Sequence, residues 1–113
     1  MPQYIYIPTD GGGDVQVLET TETDPYKLFR DETGHWGTML PTSYTSMFMF
    51  VVEEGNLYNL SLNTRANKFW WGSHEKLVGP AIIVMLKLVG EDVIKDFPTP
   101  AHLNRVVTVL NGG

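Results

Sequence analysis

Two short and almost uninterrupted apolar runs most constrain how this chain can fold. They cover residues 47–52 and 81–86. Both are far shorter than the ~18 apolar residues needed to span a bilayer. Neither alternates between apolar and polar residues, as a half-exposed strand does, so both are typical of strands buried on both faces of a sheet. The sequence therefore predicts strands over 46–52 and 81–89, with a core that contains Phe48, Phe50, Val52, Ile82 and Val84.

Capping and turn signals place the other elements around these strands. Asp24 and Pro25 suit the start of a helix, and Gly34 suits the left-handed turn that ends it. The other predicted strands are a hairpin of 4–7 and 15–19 around glycines 11–13, a weak strand over 35–40 and a returning strand over 57–60. A second helix is predicted over 64–71, between Asn63 and Gly72. A third is predicted from Thr99 to 111, although the Val and Thr content of that segment is also compatible with a strand.

Length and composition fit one small globular domain. The chain has 113 residues, of which 42% are hydrophobic and 19% are charged. A chain of this size buries roughly two thirds of its unfolded surface, so it needs no metal or disulfide to fold. We expect a single α+β domain over residues 1–113, with a mostly antiparallel sheet of five or six strands and two or three short helices.

Charge and cysteine content exclude several classes of partner. The net charge is −5 and there is no cysteine. An acidic surface repels phosphate backbones, so we expect no binding of duplex nucleic acid. Without cysteine there can be no disulfide or zinc–thiolate site, which favours a reducing compartment. No signal-peptide pattern or membrane-spanning run is visible, so we expect a cytoplasmic protein with no membrane partner.

The pattern of histidines and hydroxyl residues does not favour catalysis. His35, His74 and His102 do not have the spacing of metal ligands, so no metal or other cofactor is expected. Ser73, His74 and Glu75 are consecutive, and consecutive side chains point apart, which does not suit a catalytic triad. The glycines at 11–13 are followed by Asp14 and a strand instead of a Lys-Ser/Thr pair and a helix, which favours a turn over a phosphate-binding loop.

One segment, residues 63–76, combines positive charge with aromatic side chains. It holds Arg65, Lys68 and Lys76, three of the eight basic residues. Tryptophan faces and arginine forks can hold a nucleotide or an acidic peptide. The alternative is an amphipathic helix with Phe69 and one tryptophan in the core, although adjacent helical residues differ by about 100°, so one indole should turn outward. The candidate binding residues are Asn63, Arg65, Asn67, Lys68, Trp70, Trp71 and His74.

The order of motifs between residues 46 and 84 resembles a family of small phage proteins of unknown function, with members in phages of actinobacteria. The motifs are Val-Val-Glu-Glu-Gly-Asn-Leu at 51–57, Leu-x-Leu-Asn-x-x-Ala at 60–66, Trp-Trp at 70–71 and Leu-Val-Gly-Pro-Ala-x-x-Val at 77–84. Val52, Ser61 and the Met85–Leu86 pair depart from the family pattern. The resemblance implies a phage source, and hence the host cytoplasm, together with the α+β fold, but no mechanism.

These observations favour a phage-encoded accessory protein that acts by non-catalytic binding, with a host protein as its partner. A protein that sequesters a small signalling nucleotide is the first alternative, and a small hydrolase centred on His74 is the second. A second copy of the chain is a further candidate partner, as a homodimer.

Overall fold

A computed structural model describes residues 2–53, 60–70, 77–87 and 93–111, and within these ranges it contains six strands and three helices. The predicted α+β class is confirmed. The strands are β1 (Gln3–Ile7), β2 (Gln16–Glu19), β3 (Gly37–Pro41), β4 (Met47–Val52), β5 (Ala81–Lys87) and β6 (Val93–Lys95), and the helices are α1 (Pro25–Thr33), α2 (Thr64–Phe69) and α3 (Pro100–Leu110).

The strands form one antiparallel sheet. Its order is β2-β1-β5-β4-β3, and β6 pairs with the C-terminal end of β5. The two strands predicted from the apolar runs, β4 and β5, therefore lie next to each other in the interior of the sheet. None of the helices in the described ranges is long and apolar enough to cross a membrane.

Both faces of the sheet are covered, which explains the uninterrupted apolar runs. Side chains alternate between the two faces of a strand. One set packs against α2 and α3, and it includes Met47, Met49, Ile83 and Met85. The alternate set packs against α1. A strand covered on both sides can place apolar residues at every position without exposing them to water.

The predicted core is correct except at one position. Phe50, Val52, Ile82 and Val84 are buried on the α1 side of the sheet. Phe48 is only half-buried and packs at the margin of that cluster, because it pairs with Pro41 at the end of β3. The prediction also missed the opposite face, whose buried residues form a second cluster with α2 and α3.

Helix α1 begins and ends where its signals predict. The Asp24 carboxylate accepts the backbone N–H of Tyr26 at 2.9 Å, and Gly34 ends the helix with φ 78°. Leu28 and Phe29 face the sheet. Tyr26 does so only in part: it is 39% exposed, while its ring meets Phe50 edge-on with 4.9 Å between ring centroids.

Three other predicted elements can be compared with the structure. Helix α2 ends at Phe69, two residues early, and Trp70 has extended backbone. The C-terminal segment is a helix, which Thr99 caps by accepting the His102 N–H. The strand predicted over 57–60 lies outside the described residues except for Leu60, which belongs to no strand.

The glycine-rich joint between β1 and β2 is the predicted turn. Gly11 and Gly13 have φ of 80° and 103°, a conformation that glycine adopts at no steric cost. The joint leads from β1 into β2, as expected for a hairpin.

Candidate functional site

Helix α2 is held in place by a buried asparagine at its N-terminus. Asn63 has no exposed surface, and its Oδ1 accepts the Ala66 N–H at 3.1 Å. Its Nδ2 donates to the carbonyl oxygens of Ile7, at 3.1 Å, and Gly79, at 2.9 Å. The side chain therefore joins α2 to the end of β1 and to the chain that leads into β5. Since it is buried and bonded at both ends of its amide, Asn63 is not available to a ligand, which corrects its assignment as a binding residue.

The second asparagine of the segment, Asn67, bonds mainly to one neighbouring residue. Its Oδ1 accepts the Leu77 N–H at 2.9 Å, and its Nδ2 donates to the Leu77 carbonyl at 3.1 Å and to that of Asn63 at 2.9 Å. A primary amide with both ends occupied in this way has little capacity left for another partner. Asn67 therefore has a structural role, and its part in binding stays a prediction.

The glycine-rich joint, residues 8–15, is bound to the first turn of α2. The Asp10 carboxylate accepts both the backbone N–H and the hydroxyl of Thr64. The Arg65 guanidinium donates to the carbonyl oxygens of Gly13, at 2.7 Å, and Pro8, at 3.2 Å. Part of the positive charge noted in the sequence therefore serves to hold this loop.

Electrostatics at this junction favour the ionised carboxylate. The hydrogen bonds from Thr64 lower the pKa of Asp10, and the nearby cations Arg65 and Lys68 lower it further. Asp10 in turn offsets part of the positive charge of these two cations.

A cleft of about 220 Å³ opens between α2 and the C-terminal end of α3. Its lining combines two basic side chains, a threonine hydroxyl and two apolar side chains. The residues that line it are Thr64, Arg65, Lys68, Val109, Leu110 and Asn111. Lys68 is exposed, and within the described part of the chain it has no hydrogen bond or ion pair. The cleft can therefore offer a free ammonium group to an anion.

The α3 side of the cleft adds exposed apolar surface and a further cation nearby. Val109 is 43% exposed, although Val106 and Leu110 beside it are buried. Arg105 is exposed and precedes Val109 by four residues, so the two side chains lie on the same face of the helix. Arg105 itself does not line the cleft.

The aromatic part of the predicted site is only partly described. Trp70 is half-buried and packs against the core cluster beneath α2, so its indole contributes to packing. Trp71 and His74 lie outside the described residues. The expectation that one of the two adjacent indoles turns outward therefore stays a prediction that concerns Trp71.

The described ranges contain no cluster of side chains suited to a metal ion. They contain no group of three or more His, Asp or Glu side chains placed to hold a metal ion. His102 lies among aromatic rings, with its ring centroid 5.7 Å from that of Tyr44 and 6.3 Å from that of Phe97. It does not line the cleft.

Comparison of the chain with protein-family models, with curated proteins and with solved structures finds no match to any of them. The geometry and charge of the cleft are therefore the features that point to a function.

Proposed function

We propose that this chain is a phage-encoded accessory protein that acts without catalysis, by binding an acidic segment of a host protein in the cleft between α2 and α3. The observation that carries the proposal is the exposed and unpaired Lys68 beside the exposed Val109, in a chain whose net charge is −5. The phage source and the host cytoplasm rest on the sequence resemblance and on the absence of cysteine.

The lining supports recognition of a carboxylate next to an apolar side chain. Lys68 supplies a rotatable ammonium donor, and Arg65 adds positive charge from a guanidinium that the loop carbonyls already hold in position. Val109 and Leu110 supply an apolar contact beside them. Charged rims around an apolar contact give specificity and speed association, because opposite charges steer the encounter.

The size of the cleft favours a protein side chain over a nucleotide. Pockets for small ligands usually enclose about 300–1,000 Å³, whereas this cleft has about 220 Å³ and is open to solvent. Two of the residues proposed for nucleotide binding, Asn63 and Asn67, have their amides occupied within the fold. The sequestering alternative therefore depends mainly on Arg65 and Lys68 among the described residues, and the hydrolase alternative depends on His74, which lies outside them.

We expect a photo-activated cross-linker placed at Val109 to capture a specific host protein in infected cells. Position 109 borders the cleft while leaving both cations intact. Adding Lys68→Glu should weaken the cross-link several-fold or more, because it replaces an attraction worth up to about 1 kcal/mol at an exposed site by a repulsion between like charges. Mass spectrometry of the cross-linked peptide should place the contact in a segment rich in Asp or Glu.

The matched control is Lys95→Glu, which makes the same charge reversal at an exposed lysine on β6. This variant should retain the cross-link. Equal loss in both variants would show a general effect of net charge and would contradict a site in the cleft. A cross-link that Lys68→Glu leaves unchanged would contradict it as well.

A further inference from the structure

The outer edge of β3 is a second surface that can take a partner. β3 is the last strand in the sheet order, and in the described ranges it pairs only with β4. Thr38 and Pro41 are exposed there, and Trp36, immediately before the strand, is 59% exposed. Its indole lies beneath the Arg30 guanidinium, 4.1 Å from the ring centroid.

The hydrogen-bond register identifies the backbone groups that point away from the sheet. The Glu53 N–H donates to the Trp36 carbonyl at 2.9 Å, and Thr38 stands opposite Val51. Hydrogen-bonded and non-bonded pairs alternate along an antiparallel ladder. Trp36, Thr38 and Leu40 therefore direct their backbone groups to β4, whereas Gly37 and Met39 direct theirs outward. Pro41, which has no N–H, occupies an outward position as expected on an edge.

This edge lacks the charged residues that usually protect one. Exposed edge strands of monomeric proteins often carry charges, which discourage pairing with another chain. The β3 sequence, Gly-Thr-Met-Leu-Pro, contains none, although the chain as a whole has a net charge of −5. Two other strands with a single partner in the described ranges, β2 and β6, carry Glu19 and Lys95. Two copies of β3 can therefore approach each other without like charges between their strands.

We propose that β3 pairs antiparallel with β3 of a second copy, about a two-fold axis beside Thr38. In this register Gly37 stands opposite Met39 of the second copy, and the same pairing recurs on the other side of the axis. Gly37 and Met39 of each copy then each donate their N–H to the facing residue and accept one hydrogen bond at their C=O, which makes four hydrogen bonds in all. An axis beside Met39 would instead place Gly37 opposite Pro41, which cannot donate.

The same register places Thr38 of the two copies opposite each other at the axis. A pair of threonines is a favourable cross-strand pair. Because edge pairing buries less surface than a standard interface of about 1,600 Å², the dimer should form in a concentration-dependent way.

A charge-swap experiment at Thr38 tests this pairing. Thr38→Lys and Thr38→Glu each place two like charges opposite each other at the axis, so each variant alone should remain monomeric in sedimentation velocity over a dilution series in which the wild type dimerises. An equimolar mixture of the two variants should recover the dimer, because lysine then faces glutamate. Val17→Lys, at an exposed position on β2, should dimerise like the wild type.

Circular dichroism separates loss of pairing from loss of fold, since the Thr38 variants should keep the wild-type spectrum and melting curve. A wild type that stays monomeric at every concentration would overturn the proposal, and so would variants that dimerise unchanged. A mixture that fails to dimerise would overturn the two-fold axis at Thr38. Since Lys68 is not on β3, failure here leaves the proposed cleft function unaffected.

Discussion

Replacing Asn63 by Ala is expected to destabilise the protein by about 3–5 kcal/mol. The substitution removes three hydrogen bonds and leaves the Ile7 and Gly79 carbonyl oxygens and the Ala66 N–H without this partner in a buried site. Each buried polar group left unsatisfied costs about 1–3 kcal/mol. Urea denaturation, with the midpoint and slope fitted together, measures the loss.

Two matched variants separate the role of Asn63 in joining elements from its role as a helix cap. Aspartate is as good a capping residue as asparagine, yet Asn63→Asp would direct a carboxylate oxygen at two carbonyl oxygens, so it should destabilise the protein at least as much as alanine does. Thr99→Ala removes a simple cap, one hydrogen bond to the His102 N–H, and should cost about 1 kcal/mol. An Asn63→Asp variant as stable as the wild type would contradict the bridging role.

Truncation of Phe50 to Ala is expected to cost about 3–5 kcal/mol. Phe50 is fully buried between the sheet and α1, where its ring meets Tyr26 edge-on and lies 6.4 Å from the Phe29 ring centroid. The cavity would therefore open beneath a helix that is anchored by few side chains. The loss is measured as the shift of the urea midpoint at unchanged slope.

Phe48→Ala is the control for Phe50, because Phe48 lies two residues away on the same face of β4 but is only half-buried. It should cost about 1–2 kcal/mol, since less apolar surface leaves water when it folds. Equal losses for the two variants, or a loss below about 1 kcal/mol for Phe50→Ala, would contradict the packing of α1 on the sheet.

The elements that could be predicted from the sequence are those whose signals are local. Asp24, Pro25 and Gly34 set the bounds of α1 through hydrogen bonds and backbone angles within the helix itself. The two buried strands were predictable because continuous apolar runs of this length are too short for a typical helix and fit a strand covered on both faces. The two-sided cover of the sheet was implied by the same runs, although the core prediction named residues of one face only.

The early end of α2 depends on contacts that the local sequence does not contain. Residues 77–79 return beside 61–63, with an isolated bridge between Leu62 and Val78 and a hydrogen bond from the Gly79 N–H to the Ser61 carbonyl. Leu77 is therefore held beside the first turn of α2, and the helix ends at Phe69 with Trp70 already in extended backbone. Asn67, which bonds to Leu77, is part of the same constraint.

The basic residues of the cleft could be predicted from the sequence, whereas the residues that α3 brings to it could not. Arg65 and Lys68 were conspicuous because the chain is acidic, and both line the cleft. Val109, Leu110 and Asn111 were missed, since only the packing of α3 beside α2 brings them there. One signal was present: Val109 falls outside the apolar spacing of Leu103, Val106 and Leu110, as an exposed contact residue would.

Carboxylate binding in the cleft between α2 and α3 can be tested by titrating the ¹⁵N-labelled protein with a short oligoglutamate peptide. We expect amide shifts confined to residues 64–68 and 109–111, with a dissociation constant on the order of millimolar, because exposed charge pairs contribute less than about 1 kcal/mol each. The shifts should decrease with added salt and should disappear in Lys68→Glu. Equal shifts with oligoglutamine, shifts centred on Arg30 or Lys95, or no shifts at all would contradict such binding.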